Sequence, residues 1–251
     1  MDVGSWSLDV DGDVRNPFTV SYDELLRMPM IERDITLTCV SNEVGGGYVG
    51  AARWLGVRLT DLLGRADVGS QSDQILSTAI DGFTISTPLA VARDGRDAII
   101  AVGMNGEPLT DVHGFPARLV IPGLYGFVGA TKWLTRLTLT TYASQQAYWT
   151  RRQWATDAPI KTSARIDTPT PLSTVPPGRT VLAGVAWAQH RGIVPSRSRS
   201  TGAPGSAGNS GRTAAWTTGG SGTCRGMRRR ASTPWLSGRP TSPERSRPMN
   251  D

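Results

Sequence analysis

The chain has 251 residues, 38% of them hydrophobic, and only two cysteines. That is enough apolar content for one large domain or two modest ones, and it excludes a disulfide framework or a Cys-x-x-Cys zinc site. The net charge of +6 is confined to the end of the chain. From Pro195 onward ten arginines face one glutamate and one aspartate, so residues 1–194 carry −2, and a nucleic-acid partner is not expected.

The opening MDVGSWSLDVDGDVRNPFTV has neither a basic n-region nor an apolar run. The cytoplasm is therefore the expected compartment for the chain as given, with any export signal or membrane anchor lying upstream of it. Within the opening, WSLDVDGDV alternates like a strand with an Asp-Gly turn. Ser21 and Glu24 in SYDELLRMP form a capping-box pattern for a short helix that Pro29 ends. IERDITLTCV predicts a strand with Ile35, Leu37 and Cys39 on one buried face, followed by Asn42 and the glycines Gly45, Gly46, Gly47 and Gly50. RLTDLLGRA predicts a helix closing near Gly64. DQILSTAI, GFTIST, AIIAVGM, ARLVIPGL and TKWLTRLTLTTY predict strands, and GRTVLAGVAWA opens a second unit after the Pro-rich TPTPLSTVPPG. Short strands with few short helices give an α+β domain and then the start of an all-β one.

Two clusters carry candidate chemistry. Cys39 is a small packing residue, a nucleophile or a single metal ligand. The glycines behind it would let a bound group approach the backbone closely. One thiolate without His or Cys neighbours suits a metal whose other ligands come from an organic cofactor better than it suits zinc. The second cluster, NGEPLTDVHGFPARLVIPGLYGFVGATKW, gathers His113, Arg118 and Lys132 around glycine-rich turns, a donor set suited to an anion. Trp133, Trp149, Trp154 and Trp187 read as core or rim packing, away from the basic tail.

The ordered blocks Thr38-Cys39, Asn42, Met104 to Leu109, His113 to Arg118, Val120 to Gly126 and Ala130 to Trp133 resemble the sulfite oxidase type of molybdopterin oxidoreductases, most of all its bacterial haem-free members. The resemblance spans residues 5–194. It implies a mixed, β-rich sulfite oxidase-like molybdopterin-binding domain over 1–168. A remnant of an immunoglobulin-like dimerisation sandwich would follow over 169–194, truncated, so that the family dimer is expected to be lost. It further implies one molybdenum per chain, no haem, and a pyranopterin dithiolene with the Cys39 thiolate as protein ligand. Asn42, Asp81, His113, Arg118, Ala130, Thr131 and Lys132 would contact the cofactor. The reaction would be oxygen-atom transfer on a small-molecule substrate, with electrons passed to an external acceptor, a cytochrome or a quinone-linked carrier.

The chain departs from sulfite oxidases directly after the cysteine. Where they carry an arginine, this sequence reads Val40-Ser41-Asn42-Glu43. A carboxylate there opposes a dianion, so sulfite is not the expected substrate and a reductase of oxidised sulfur or nitrogen groups is equally open. Arg151, Arg152 and Lys161 are the candidates for restoring positive charge, with Trp154 at the position of a family tyrosine.

Past residue 195 the composition changes to Ser, Gly, Arg, Thr and Pro. Permitted codons for SRSRSTGAPGS, read with the preceding base, give V-E-V-x-V-D-G-G-A-W-Q, which is like the family's next strands. Residues 195–251 are accordingly expected to be disordered, the product of a frame change, with no regular strand pairing. The competing reading of the whole chain is a remnant that carries no cofactor.

Overall fold

The computed structural model describes residues 3–43, 45–170, 172–174 and 179–188, together with three short strands beyond them. The elements run β1 (Ser7–Gly12), β2 (Phe18–Ser21), α1 (Tyr22–Arg27), β3 (Met30–Thr38), β4 (Val49–Arg58), α2 (Leu59–Ala66), β5 (Gln74–Ala79), β6 (Thr84–Pro88), α3 (Leu89–Ala92) and β7 (Ile99–Met104). They continue with β8 (Glu107–Pro108), β9 (Arg118–Val120), α4 (Gly126–Gly129), β10 (Leu134–Thr140), β11 (Ser163–Thr168), β12 (Arg179–Trp187), β13 (Trp216–Gly219), β14 (Thr223–Gly226) and β15 (Arg229–Ser232). The fold is thus β-rich with few, short helices, as expected.

Local chemistry explains most boundaries. The Ser21 hydroxyl accepts from the Glu24 N–H while the Glu24 carboxylate accepts from the Ser21 N–H, so α1 opens with a reciprocal cap. α2 runs past Gly64 rather than closing there. It ends at Asp67, which takes the left-handed conformation with its N–H bonded to the Gly64 carbonyl. β7 and β8 are joined through Asn105-Gly106, both at positive φ, which is the backbone a tight hairpin demands.

The strands form three sheets. The first has the order β2-β1-β10-β5-β6, with β1 and β10 parallel and every other pair antiparallel. The second has the order β3-β4-β7-β8, with β9 also on β7. Between the first two lies the main core: Leu8, Val10, Ile75, Leu137 and Leu139 of the first sheet, Leu59, Leu62 and Leu63 of α2, and Val57, Ile100, Val102 and Leu119 of the second. Ile35, Trp54, Ile99, Ala101 and Val120 turn to the opposite face of the second sheet and form a smaller cluster with Leu109. β7 is therefore covered on both sides, which is why its sequence is a continuous apolar run.

The third sheet has the order β11-β12-β14-β13, with β15 also on β12. It takes in β11, which precedes the expected boundary at residue 169. Its last three strands run against the expectation that nothing past 195 pairs regularly, because the free edge and ends of β12 supply backbone donors and acceptors that a strand can satisfy. The other residues of that tail lie outside the described ones.

Candidate functional site

The loop between β3 and β4 presents Cys39. The Cys39 N–H donates to the Tyr48 carbonyl at 2.9 Å, the Asn42 N–H donates to the Cys39 carbonyl at 3.1 Å, and the Tyr48 N–H donates to Asn42 Oδ1 at 2.7 Å. Asn42 therefore ties the two arms of the loop together, and its amide oxygen is spent on the backbone. The thiol is free and exposed, not buried as the strand pattern predicted. β3 ends at Thr38, one residue earlier, so the alternation that buries Ile35 does not cover Cys39. Exposure removes the packing role from the three readings of this cysteine.

A cleft of about 280 Å³ opens beside the thiol. Glu43 and Gly45 of the loop, Tyr125, Lys161 and the strand start Ser163-Ala164-Arg165 all line it, with Trp187 of β12 behind. Two docking contacts bring Lys161 there: the Ile160 N–H donates to the Gly123 carbonyl at 2.7 Å and the Tyr125 N–H donates to the Ala158 carbonyl at 2.9 Å. Arg165 comes from the third sheet. Its guanidinium donates to the Gly46 carbonyl at 2.9 Å and pairs with Asp167 at 2.8 Å, fastening the cysteine loop to β11. Sequence reading missed Arg165 and Tyr125 as cleft residues, and the only available signal for Arg165 was a cation on a strand of unknown partner.

Arg151, Arg152 and Trp154 do not line this cleft. The Arg152 guanidinium lies 3.6 Å over the Tyr148 ring and donates to its carbonyl, while Trp154 packs edge-on to Phe127 and against Trp149. This aromatic cluster docks on β6, where the Tyr148 N–H donates to Thr84 Oγ1 and the Thr150 hydroxyl donates to Ser86 Oγ. Of the four residues expected to meet substrate, only Lys161 is beside Cys39.

The second cluster does assemble. Arg118, on β9, is buried, with Nη1 donating to the His113 carbonyl at 3.0 Å and Nη2 to the Ala130 carbonyl at 3.3 Å. Lys132 Nζ donates to the Val112 carbonyl at 3.1 Å and lies 4.4 Å over the Trp133 ring. His113 Nδ1 sits 2.7 Å from the Thr110 hydroxyl. Gly114 makes this convergence possible: its φ is +99°, and a Cβ there would sit 2.8 Å from Lys132 Cβ. Of the other expected contacts, the Ala130 N–H bonds the Gly126 carbonyl and the Thr131 hydroxyl turns into the core, 2.6 Å from Ser77 Oγ. Asp81 lines an adjacent groove with Asp111, Val112, Phe115 and Trp133, one carboxylate oxygen accepting from the Phe83 N–H.

Electrostatics mark Arg118 out. Among the described residues no carboxylate pairs with it, and its Nε is buried without a partner. Burial pushes its pKa down to about 10. Lys132 is pushed below the usual lysine range by burial first and by the Arg118 cation second. Two neighbouring cations without a counterion are a site for an anion. Trp133, at φ +52°, holds a left-handed conformation unusual for a bulky side chain, and its indole N–H donates to the Asp111 carbonyl at 2.9 Å.

His113, Arg118 and Lys132 do not line the Cys39 cleft. The two sites are linked through Trp54. Its ring lies 5.1 Å from the Arg118 guanidinium, and its indole N–H donates to the Ile35 carbonyl on β3, the strand that leads to Cys39. No group of three or more His, Cys, Asp or Glu side chains among the described residues could hold a metal ion. Among the described residues, Cys39 therefore has no protein partners with which to complete a metal site.

Residues 1–149 match the family model described as the oxidoreductase molybdopterin binding domain. The chain is 32% identical over 174 residues to a nitrate reductase [NADH] of Hordeum vulgare, a stretch covering 59% of this chain and 19% of that protein. It is 29% identical over 209 residues to the mitochondrial sulfite oxidase of Rattus norvegicus, covering 67% and 38%. Its fold superposes on the crystal structure of the sulfane dehydrogenase SoxCD from Paracoccus pantotrophus with a TM-score of 0.70 at 22% identity, covering 93% of this chain and 65% of that one. The chain thus spans well under half the length of these curated relatives.

Proposed function

Because the chain belongs to the molybdopterin-binding oxidoreductases of the sulfite oxidase type, we propose that it binds a molybdenum–molybdopterin cofactor between its two clusters and works as an oxidoreductase. Arg118, Lys132 and His113 hold the anionic end of the group, and the Cys39 thiolate is the protein ligand to the metal. Bound there, the cofactor supplies oxygen-atom transfer to or from a small substrate, with electrons passed singly to an external carrier, a cytochrome or a quinone-linked one.

The observation that carries this reading is the buried, unpaired guanidinium of Arg118, with its orphaned Nε, beside the unpaired Lys132 ammonium. A cation kept out of water without a carboxylate is unfavourable in the empty protein and favourable once an anionic group arrives. The chain's own residues then divide the work. Asn42 fixes the arms of the loop that carries Cys39, Arg165 fastens that loop to the third sheet, and Lys161 and Tyr125 face whatever enters the cleft.

Purification of the full chain from a host that makes the cofactor tests the reading through metal and pterin content. About one molybdenum and one pterin per chain are expected. A Cys39→Ser variant should keep the pterin, held by the cation cluster, and lose nearly all turnover. Full turnover in that variant refutes the ligand assignment, and absence of both metal and pterin from the wild type favours the reading as a remnant without cofactor.

A further inference from the structure

We propose that Glu43 sets the charge selectivity of the Cys39 cleft, so that the cleft takes neutral or dipolar oxides, in which an S–O or N–O bond carries the polarity, in preference to oxyanions. As a statement about substrate this rests on the function proposed above. As a statement about the cleft it rests only on the residues that line it.

The charged side chains of the cleft are Glu43, Lys161 and Arg165. Arg165 is neutralised by Asp167 at 2.8 Å and spends Nη1 on the Gly46 carbonyl, so it brings no free cation to an incoming anion. Glu43 and Lys161 form no ion pair with each other or with any other group among the described residues. One carboxylate and one ammonium thus face the same opening from two different segments, and their fields cancel at long range. An oxyanion gains at Lys161 and loses at Glu43. A dipolar oxide can turn its oxygen to the ammonium and its positive end to the carboxylate, and so gains at both. The Tyr125 and Trp187 rings, together with Ala164, give the opening an apolar wall for the rest of such a molecule.

The charge of the cleft can be read without cofactor or turnover, because Cys39 is itself an exposed nucleophile inside it. In a Cys224→Ser background the full-length apo chain is alkylated with neutral iodoacetamide and with anionic iodoacetate, and the ratio of the two rates cancels the thiolate fraction. Glu43→Gln should raise the iodoacetate-to-iodoacetamide ratio about two- to threefold, the effect of one solvent-screened charge lining the same cleft. Lys161→Gln should lower it by a similar factor. The cofactor-loaded enzyme gives the second arm: Glu43→Gln should raise kcat/KM for sulfite relative to that for a neutral sulfoxide. An alkylation ratio that does not respond to Glu43→Gln overturns the proposal, as does a loaded wild type that prefers sulfite. A loaded protein without turnover on either substrate counts against the proposed function, whereas the alkylation ratio still decides the charge of the cleft.

Discussion

Replacing Arg118 by methionine, which is similar in reach and uncharged, separates a residue that serves the fold from one that serves a ligand. Burial lowers the guanidinium pKa to about 10, well below the ordinary arginine value. At about 1.4 kcal/mol per unit, the buried cation carries roughly 3 kcal/mol of destabilisation at neutral pH. Against this stand two hydrogen bonds from the charged guanidinium to carbonyls, one at 3.0 Å and one at a long 3.3 Å, which together contribute about 3–4 kcal/mol, the lower part of the range for bonds to a charged group. The two sums nearly cancel, so Arg118→Met should change the stability of the apo chain by less than about 1.5 kcal/mol in urea unfolding. Once an anion is bound, the same truncation strips a paired charge from a buried site, a loss of about 3–5 kcal/mol in binding, or more than a hundredfold in affinity. The expected pattern is near-wild-type apo stability with cofactor content close to zero. An apo chain destabilised by 3 kcal/mol or more would refute the reasoning by making Arg118 a structural residue, and undiminished pterin in the variant would refute the anion site.

Lys132 gives the pH dependence. Its lowered pKa means the charged form is disfavoured in the empty protein, a penalty present at neutral pH and relieved as pH rises through that lowered value. Binding of an anion needs the ammonium, so pterin retention should weaken with rising pH below the range of free lysine, and Lys132→Met should flatten that dependence in a dialysis series. Gly114→Ala places a methyl group against the Lys132 stem at positive φ and should destabilise the chain by about 1–3 kcal/mol, read from the urea midpoint, while lowering pterin content. Sequencing of the coding DNA should show codons past Pro195 whose adjacent frame spells V-E-V-x-V-D-G-G-A-W-Q; codons that forbid that reading refute the frame change.

The amino-acid sequence by itself determined the elements whose signals are local. The reciprocal cap of Ser21 and Glu24, the alternation of β1, β3 and β10 and the apolar run of β7 each rest on residues within a turn or strand of one another. The ordered motif blocks fixed the family in the same way, and with it the cofactor class. What sequence could not show were partners set by distance along the chain. β4 escaped because VGAARWLGVR has glycine where a strand should have a side chain, and Gly56 is needed there since a Cβ would collide with the Ile100 carbonyl, on a strand that becomes its neighbour only after folding. Arg165 reaches the Cys39 loop across 119 residues, and Arg118 is revealed as an unpaired cation only when packing removes water and supplies no carboxylate. Burial and charge balance are properties of what surrounds a side chain, and for these residues the tertiary structure alone decides the surroundings.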